Sequence, residues 1–349
     1  MRPFTVGIIG CGWAGARHAR AFASQPGVAV TWAIDLRAAP AQAVANLLAG
    51  ARASADYNEA LDDRDLDAVD ICLPHHLHAR VSVKAIARGK HVLCEKPLAA
   101  TLSEADAMIA AAEKAGATLM VAENEVFSPL YRRVRDLVAA GAIGTPALAQ
   151  MTRGCFLEKS FKTERPWFLD EQAAAGGMMM SGGVHDFEKL RMILGEVTAV
   201  FARRAPQRFA DMQGDDTSVA MVRFASGAIG LMVQSFLMKN ALTQSGVEEH
   251  TLRIEGANGS IRAAGTNGGR IVLFRDSVAE PLLADAPFET EMIIPEVDTF
   301  ELETAHFVAC VRDGKEPVTA GRKMRRPLAL VLAAYESMRT NREVEVPPE

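Results

Sequence analysis

The chain has 349 residues, of which 49% are hydrophobic and 23% charged, and its formal net charge is -5 at pH 7. This length suits two domains, and the composition is typical of a globular protein rather than a disordered one. The net negative charge differs from the basic charge typical of nucleic-acid-binding proteins, so we expect no nucleic-acid partner. No apolar run approaches the roughly 20 residues that span a bilayer, so we expect no membrane-spanning segment.

Strands and helices alternate through the first third of the chain. Short apolar runs predict the strands Phe4–Ile9, Val28–Ile34, Ala68–Leu73, His91–Cys94 and Thr118–Ala122. The segments between them predict the helices Trp13–Ala23, Pro40–Leu48, Ala79–Arg88 and Ser103–Ala115, the last with Ser103 as its N-cap. Such alternation predicts a parallel sheet with right-handed crossovers, and continuous hydrophobicity along the strands indicates that both faces are covered.

The pattern changes after Ala122. Beyond a helix over Pro129–Ala140, period-two runs predict the strands Ala147–Arg153, Val197–Arg203, Thr217–Phe224, Ala228–Phe236, His250–Glu255 and Arg270–Phe274. Two more helices are predicted over Phe300–Asp313 and Met324–Thr340. We therefore expect an α/β fold with two domains, 1–123 with the parallel sheet and 124–349, an α+β domain with a large, mostly antiparallel sheet.

A glycine-rich turn joins the first predicted strand to the first helix. Its residues Gly10, Cys11, Gly12, Trp13, Ala14 and Gly15 match the pattern G-x-G-x-x-G. The first glycine allows a tight turn, the second lets a pyrophosphate approach the backbone, and the third lets helix and strand pack closely. The helix N-terminus supplies N–H groups for the phosphates. The pattern predicts a Rossmann domain.

Asp35 ends the second predicted strand, where an acidic residue accepts hydrogen bonds from the ribose hydroxyls of a dinucleotide. A carboxylate there also repels a 2′-phosphate, so NAD is favoured over NADP. Arg37 leaves NADP as an alternative cofactor, because its side chain can turn towards the 2′-phosphate.

The Glu95-Lys96-Pro97 sequence follows the strand that ends at Cys94. Together with DAVDICLPHHLHARVSVKAIARGKHVLCEKPLA, VAENEVFSPLYRRVRDLVAAGAIGTP, AAGGMMMSGGVHDFEKLRMILG and AAYESMRTNREVEVP, it resembles the glucose–fructose oxidoreductase/inositol dehydrogenase/MocA family. The resemblance spans nearly the whole chain. It implies a nicotinamide cofactor, oxidation of a sugar or cyclitol hydroxyl, and a homodimer or homotetramer formed through the C-terminal sheet.

The resemblance also implies catalytic residues. Lys96 matches the family lysine that meets the reacting hydroxyl, where an ammonium stabilises negative charge on the oxygen and passes a proton. His185 matches the histidine that takes the hydroxyl proton, although a hydrogen-bonded core histidine is the alternative. Ser181 stands where the family commonly has an aspartate, so hydrogen bonding to substrate is retained but the negative charge is lost.

Further contacts are expected around these residues. Ser181, Asn124 and Trp167 are candidate substrate contacts, and Trp167 either stacks on a sugar ring or is a core aromatic. The remaining candidate cofactor contacts are Pro74, His75, His78, Glu95 and Lys96. The histidines between positions 75 and 78 lack cysteine or carboxylate partners at ligand spacing, so no metal site is expected.

The protein is expected to be cytoplasmic. The first strand begins at Phe4, which leaves no room for a leader, and no cysteine pair forms C-x-x-C. The leading hypothesis is an NAD-dependent dehydrogenase acting on a secondary hydroxyl of a sugar, glycoside, cyclitol or related polyol. Two alternatives are an NAD-assisted glycosidase, which oxidises the sugar transiently to allow elimination, and a nucleotide-binding regulator without turnover. Lys96 and His185 argue against the regulator.

Overall fold

The computed structural model describes residues 2–239, 249–275 and 289–347. They belong to two compact units. The first comprises Met1–Asn124, Lys162–Ala175 and Asp298–Leu328, and the second comprises Glu125–Phe161, Gly176–Val297 and Ala329–Glu349. The first unit thus includes two later segments that the sequence did not assign to it, and the division at 123/124 stays a prediction.

The first unit contains a parallel sheet, for which six strands lie in the described residues. They are β1 (Phe4–Ile9), β2 (Val28–Ile34), β3 (Arg52–Ser54), β4 (Ala68–Ile71), β5 (His91–Glu95) and β6 (Leu119–Ala122). Their order is β3-β2-β1-β4-β5-β6, and all neighbours run parallel. This is the strand order of a dinucleotide-binding Rossmann fold. The strands β1, β4 and β6 are buried along their whole length, as their continuous hydrophobicity predicts.

The second unit contains a larger sheet, and nine of its strands are described. They are β7 (Pro146–Gly154), β8 (Val197–Arg204), β9 (Thr217–Phe224), β10 (Ile229–Ser235), β11 (Glu249–Gly256), β12 (Gly259–Ala264), β13 (Gly269–Arg275), β14 (Glu289–Ile294) and β15 (Val344–Glu345). Their order is β14-β13-β12-β11-β7-β10-β9-β8-β15, with β7 and β10 parallel and the other neighbours antiparallel. The predicted fold class is confirmed.

The described α-helices are α1 (Trp13–Ala23), α2 (Ala38–Asn46), α3 (Tyr57–Asp62), α4 (His78–Ala87), α5 (Leu102–Ala115), α6 (Pro129–Ala139), α7 (Glu158–Thr163), α8 (Glu171–Ala174), α9 (Val184–Leu194), α10 (Thr299–Asp313) and α11 (Gly321–Thr340). Among these described helices, none combines the length and the apolar character that crossing a membrane would require.

Helix α5 begins earlier than the sequence predicted. Its N-cap is Thr101, whose hydroxyl accepts a hydrogen bond from the Glu104 amide at 3.2 Å, while the Glu104 carboxylate accepts one from the Thr101 amide at 3.1 Å. This reciprocal capping box satisfies two amides at once, so the assignment of Ser103 as N-cap is wrong. The predicted C-terminal end is correct, since Gly116 adopts a left-handed conformation with φ of 62°.

Candidate functional site

The carboxyl ends of the parallel strands carry most of the predicted cofactor contacts. Gly10 follows β1, Asp35 follows β2, Pro74 comes soon after β4, and Lys96 follows β5 directly. Because parallel strands end at one edge of their sheet, these residues gather along that edge. Ligands of open α/β sheets bind outside the carboxyl ends of the strands, so this edge is the candidate cofactor site.

The geometry of the glycine-rich turn fits the roles that its pattern predicts. Gly10 has a φ of +99°, and a Cβ there would lie 2.3 Å from the Cys72 carbonyl oxygen. A Cβ on Gly15 would lie 1.9 Å from the Gly10 oxygen, so helix α1 can approach the turn only with glycine at this place. A Cβ on Gly12 would meet nothing within 4 Å, which leaves open space above the backbone.

The N-terminus of α1 is open to an anion. Its N-cap Gly12 supplies no side-chain hydrogen bond, and its first turn carries no acidic residue. Ala14 is half-buried there, and the Trp13 ring is 51% exposed, 6.0 Å from the Phe300 ring. The uncapped N–H groups and the positive end of the helix dipole suit a pyrophosphate. The residues present therefore fit a dinucleotide.

Asp35 is fixed against the turn. Its carboxylate accepts hydrogen bonds from the Cys11 amide at 3.1 Å and the Arg37 amide at 2.9 Å. The Arg37 guanidinium pairs with the same carboxylate, Nε to Oδ1 at 3.2 Å. The Cys11 thiol lies below the turn, where burial raises its pKa to about 12. This thiol is a packing group, and contact of Asp35 with a ribose stays a prediction.

Two buried histidines follow β4, one in the turn after the strand and one at the start of α4. His75 Nδ1 lies 2.6 Å from the Ala174 carbonyl oxygen, and burial lowers the pKa of this imidazole well below its ordinary value. Both ring nitrogens of His78 lie 2.8 Å from carbonyl oxygens, those of Pro97 and Leu73. The His78 ring therefore braces the loop after β4 against the one after β5. Cofactor contact by either histidine stays a prediction.

Lys96 lies at the end of β5, partly exposed, and the peptide bond that joins it to Pro97 is cis. The Lys96 amide donates a hydrogen bond to Glu95 Oε2 at 3.0 Å. The side chain of Glu95 thus turns back to its neighbour's backbone.

Two of the predicted substrate contacts, Asn124 and Trp167, lie in the first unit, and both contact other residues of the protein. The Asn124 amide donates a hydrogen bond to the Thr299 hydroxyl at 2.8 Å. Trp167 stacks on Phe168 with 4.0 Å between ring centroids and meets the His75 ring edge-on at 5.0 Å. This aromatic cluster fits the packing interpretation of Trp167, and its contact with a sugar stays a prediction.

In the second unit, Ser181 and His185 come from adjoining helical segments. Ser181 lies in a π-helical turn, Met179–Gly183, directly before α9, and His185 is buried in the first turn of α9. The Tyr335 hydroxyl fixes the start of this segment by accepting hydrogen bonds from the Gly177 amide at 2.8 Å and the Met180 amide at 3.1 Å. Such π-turns are frequent at functional sites.

A buried ion-pair network, formed by Glu125, Arg153, Asp186 and Lys189, lies beside His185. Arg153 contacts Glu125 at 2.7 Å and Asp186 at 2.9 Å, and Lys189 contacts the same carboxylates at 2.6 and 3.0 Å. Each of these side chains is at most 5% exposed. The two cations and two anions compensate one another, and this offsets part of the desolvation cost of burying them.

The network places a carboxylate next to His185. Burial opposes the charged form of Glu125, but Arg153 and Lys189 outweigh it and hold the pKa of Glu125 well below its ordinary value. His185 Nδ1 lies 3.9 Å from Glu125 Oε1. The sequence offered no carboxylate for this histidine because Ser181 occupies the family's aspartate position. Glu125, 60 positions away in the chain, supplies one.

Two family models match the chain. One, described as an oxidoreductase family with an NAD-binding Rossmann fold, matches residues 4–123. The other, the GFO/IDH/MocA C-terminal domain, matches residues 131–262.

Named relatives match over most of the chain. A levoglucosan dehydrogenase of Pseudarthrobacter phenanthrenivorans is 31% identical over 75% of this chain and 73% of its own. A myo-inositol 2-dehydrogenase of Thermotoga maritima is 28% identical over 98% of both chains. The crystal structure of an oxidoreductase from Agrobacterium radiobacter, with NAD+, L-tartaric acid and magnesium, superposes with a TM-score of 0.85 at 24% identity, covering 98% of each chain. The last of these shows the fold alone.

Proposed function

Because the chain belongs to the GFO/IDH/MocA family of oxidoreductases, we propose that it transfers hydride between NAD and a secondary hydroxyl or carbonyl of a sugar, glycoside, cyclitol or related polyol. The observation that carries the proposal is the edge of the parallel sheet, where an uncapped helix N-terminus, Asp35 and Lys96 come together. The relatives named for levoglucosan and myo-inositol support this substrate class.

Each proposed residue has a separate task. The backbone of the glycine-rich turn binds the pyrophosphate, and Asp35 accepts hydrogen bonds from the ribose hydroxyls. Lys96 stabilises the negative charge that develops on the substrate oxygen, and His185 accepts the hydroxyl proton. Bound NAD would supply the hydride acceptor for the carbon that bears this hydroxyl, so that the alcohol would become a carbonyl. Ser181 and Asn124 are proposed to hydrogen-bond the other hydroxyls.

Glu125 is the proposed partner of His185. Its Oε1 lies 3.9 Å from His185 Nδ1, so a carboxylate stands beside the imidazole that is proposed to accept the substrate proton. We propose that Glu125 serves here in place of the aspartate that Ser181 replaces. The proton route then runs from the substrate hydroxyl to His185 without a carboxylate at position 181.

Asp35→Ala is expected to weaken NAD binding about 10- to 100-fold, because it removes charge-assisted hydrogen bonds to the ribose worth about 1.5–3 kcal/mol. Discrimination against NADP should narrow, because the carboxylate no longer repels the 2′-phosphate. Calorimetric titration of both nucleotides measures the change. Asp65→Ala, an exposed aspartate of the same unit, is the control and should bind both like the unmodified protein. Tighter binding of NADP than of NAD by the unmodified protein would overturn the assignment.

Ser181 favours one second candidate, an NAD-assisted glycosidase, because a changed proton-transfer site suits altered chemistry. In that reaction the sugar is oxidised transiently, a neighbouring C–H loses its proton, the aglycone leaves with a proton as its alcohol, water adds to the resulting double bond, and the hydride returns to the carbonyl carbon. A panel of sugars, cyclitols and glycosides separates the candidates. Net NADH formation is expected for the dehydrogenase, whereas glycoside cleavage without NADH would select the glycosidase.

We also propose a homo-oligomer, a dimer or tetramer, associated through the large sheet. Its outer face exposes Val219, Met221 and Ile229 on β9 and β10, each between 39% and 43% exposed.

A cytoplasmic location is proposed as well. It agrees with the five cysteines, all of which lie within the described residues and form no disulfide.

A further inference from the structure

His18 is a fully buried histidine of the first unit, in the middle of α1. Its Nδ1 lies 2.9 Å from Asp70 Oδ2, at hydrogen-bond distance. Its Nε2 lies 3.3 Å from Glu95 Oε1 and 3.7 Å from Glu303 Oε1. Three carboxyl groups, from β4, β5 and α10, thus converge on one imidazole. Nothing in the proposed reaction yet uses this cluster.

The surroundings of His18 favour its charged form. Burial opposes a charge on His18, but Asp70 and Cys72 together outweigh it and raise the pKa of this imidazole well above its ordinary value. The Cys72 thiol and the Phe300 ring, 5.3 Å away, complete its surroundings. Burial also raises the pKa of Glu303 well above its ordinary value. The His18 ring is thus surrounded by three carboxyl groups, with Asp70 at 2.9 Å, Glu95 at 3.3 Å and Glu303 at 3.7 Å.

Glu95 connects the His18 imidazole to the proposed catalytic lysine. One carboxylate oxygen of Glu95 faces His18, and the other accepts the hydrogen bond from the Lys96 amide at 3.0 Å. The direction of the Glu95 side chain thus depends on the charge behind it. A neutral residue at position 18 would leave the Glu95 carboxylate without that attraction, and the carboxylate would turn towards water.

We propose that His18 is a positioning residue for Lys96, acting through Glu95. The imidazolium holds one carboxylate oxygen, the other holds the Lys96 backbone, and the lysine side chain is thereby aimed at the reacting oxygen. This inference rests on the proposed function of Lys96 and adds a residue on a different element, within the helix that follows the glycine-rich turn.

A metal ion is the competing interpretation of the same atoms. Ligand atoms of His18, Asp70 and Cys72 lie within 4.8 Å of one another. The 2.9 Å between His18 Nδ1 and Asp70 Oδ2 is the distance of a hydrogen bond with a shared proton. Two ligands on one zinc ion, each about 2.0–2.1 Å from it, would stand farther apart in a tetrahedral site. The geometry therefore favours a proton, rather than a metal ion, between His18 and Asp70.

The first test reads the charge of His18 without any substrate. Nitrogen NMR of the protein labelled at histidine should show His18 still doubly protonated at a pH at which a histidine with the ordinary pKa of about 6.5 has lost its proton. His18→Gln assigns the signal, and Glu95→Gln should shift it. His91, at the start of β5, is the internal control, because burial lowers the pKa of its imidazole. A neutral or metal-bound His18 at pH 7 would refute the proposal.

The second test reads the coupling to Lys96. His18→Gln and Glu95→Gln should each lower kcat about 10- to 100-fold, the usual effect of an orienting partner, with a much smaller change in NAD affinity. Because they act in one chain of contacts, the double variant should be little worse than either single variant. His91→Gln is the matched control, at the opposite end of the same strand, and should keep its kcat.

The outcomes distinguish the two proposals. Additive losses in the double variant, or a loss that lies only in NAD affinity or folding, would refute the positioning role while leaving the dehydrogenase proposal intact. Absence of turnover in the unmodified protein would refute the dehydrogenase proposal, and the NMR experiment would still decide whether an imidazolium couples to Glu95.

Discussion

Lys96→Ala should lower the turnover of sugar oxidation by about 10²–10⁴-fold, the effect expected when a group that stabilises developing charge and passes a proton is removed. The affinity for NAD should change much less, because the turn at Gly10 and Asp35 carries the proposed nucleotide contacts. Initial rates at saturating NAD, together with calorimetric titration of the nucleotide, measure the two effects separately.

The matched control is Lys84→Ala. Lys84 is a partly exposed lysine of α4, 5.1 Å above the Tyr57 ring, and it belongs to the same unit as Lys96. Its removal should leave turnover unchanged. Unchanged turnover in Lys96→Ala would mean that the lysine is an ordinary surface cation. The proposed reaction would then lack the group that stabilises the negative charge on the substrate oxygen.

Arg153→Met should destabilise the protein by about 3–5 kcal/mol, the cost of breaking a buried ion pair by removing one partner. The variant leaves Glu125 and Asp186 facing Lys189 alone, with one uncompensated negative charge in the second unit. Urea unfolding followed by circular dichroism measures the loss. Arg253→Met is the control, because the Arg253 side chain is 47% exposed and its pair with Glu255 is worth at most about 1 kcal/mol.

The same variant should change acid stability. Burial raises the pKa of Glu125 and Asp186, but Arg153 and Lys189 outweigh it and lower both below their ordinary values. A lowered carboxyl pKa stabilises the fold above the unfolded pKa of about 4, and this stability is lost as the pH falls towards the folded value. Without Arg153 the acid-unfolding midpoint should move to higher pH. An unchanged midpoint would show that the network does not control acid stability.

Local sequence signals were enough to predict the Rossmann sheet. The longer strands are uninterrupted apolar runs, and the helices between them have clear ends such as Gly116. The short elements β3 and α3 were missed because three and six residues, largely polar, carry too little periodicity. Strand β12, Gly259–Ala264, was missed for a different reason, because its central Arg262 interrupts the apolar pattern.

The site residues that could be predicted from the sequence are likewise those whose contacts are local in the chain. The glycine-rich turn and the contact of Asp35 with Cys11 span only about 25 residues of the chain, so their spacing was informative. The partners of His185 and His18 are not local. Glu125 and Glu303 look like ordinary solvated acids in the sequence, and only the tertiary fold buries them beside a histidine. The alternation of charge along α9, with Asp186 and Lys189 three residues apart, was the one available signal of a network.

The most direct test of hydride transfer follows the hydrogen itself. The panel substrate with the highest rate is labelled with deuterium at the carbon that bears the oxidised hydroxyl and incubated with NAD and the unmodified protein. Mass spectrometry of the recovered nucleotide and sugar should find the deuterium on reduced nicotinamide, in equal amount to the carbonyl product. Product formation with unlabelled nucleotide, or tight NAD binding with no hydride transfer from any panel member, would contradict the account.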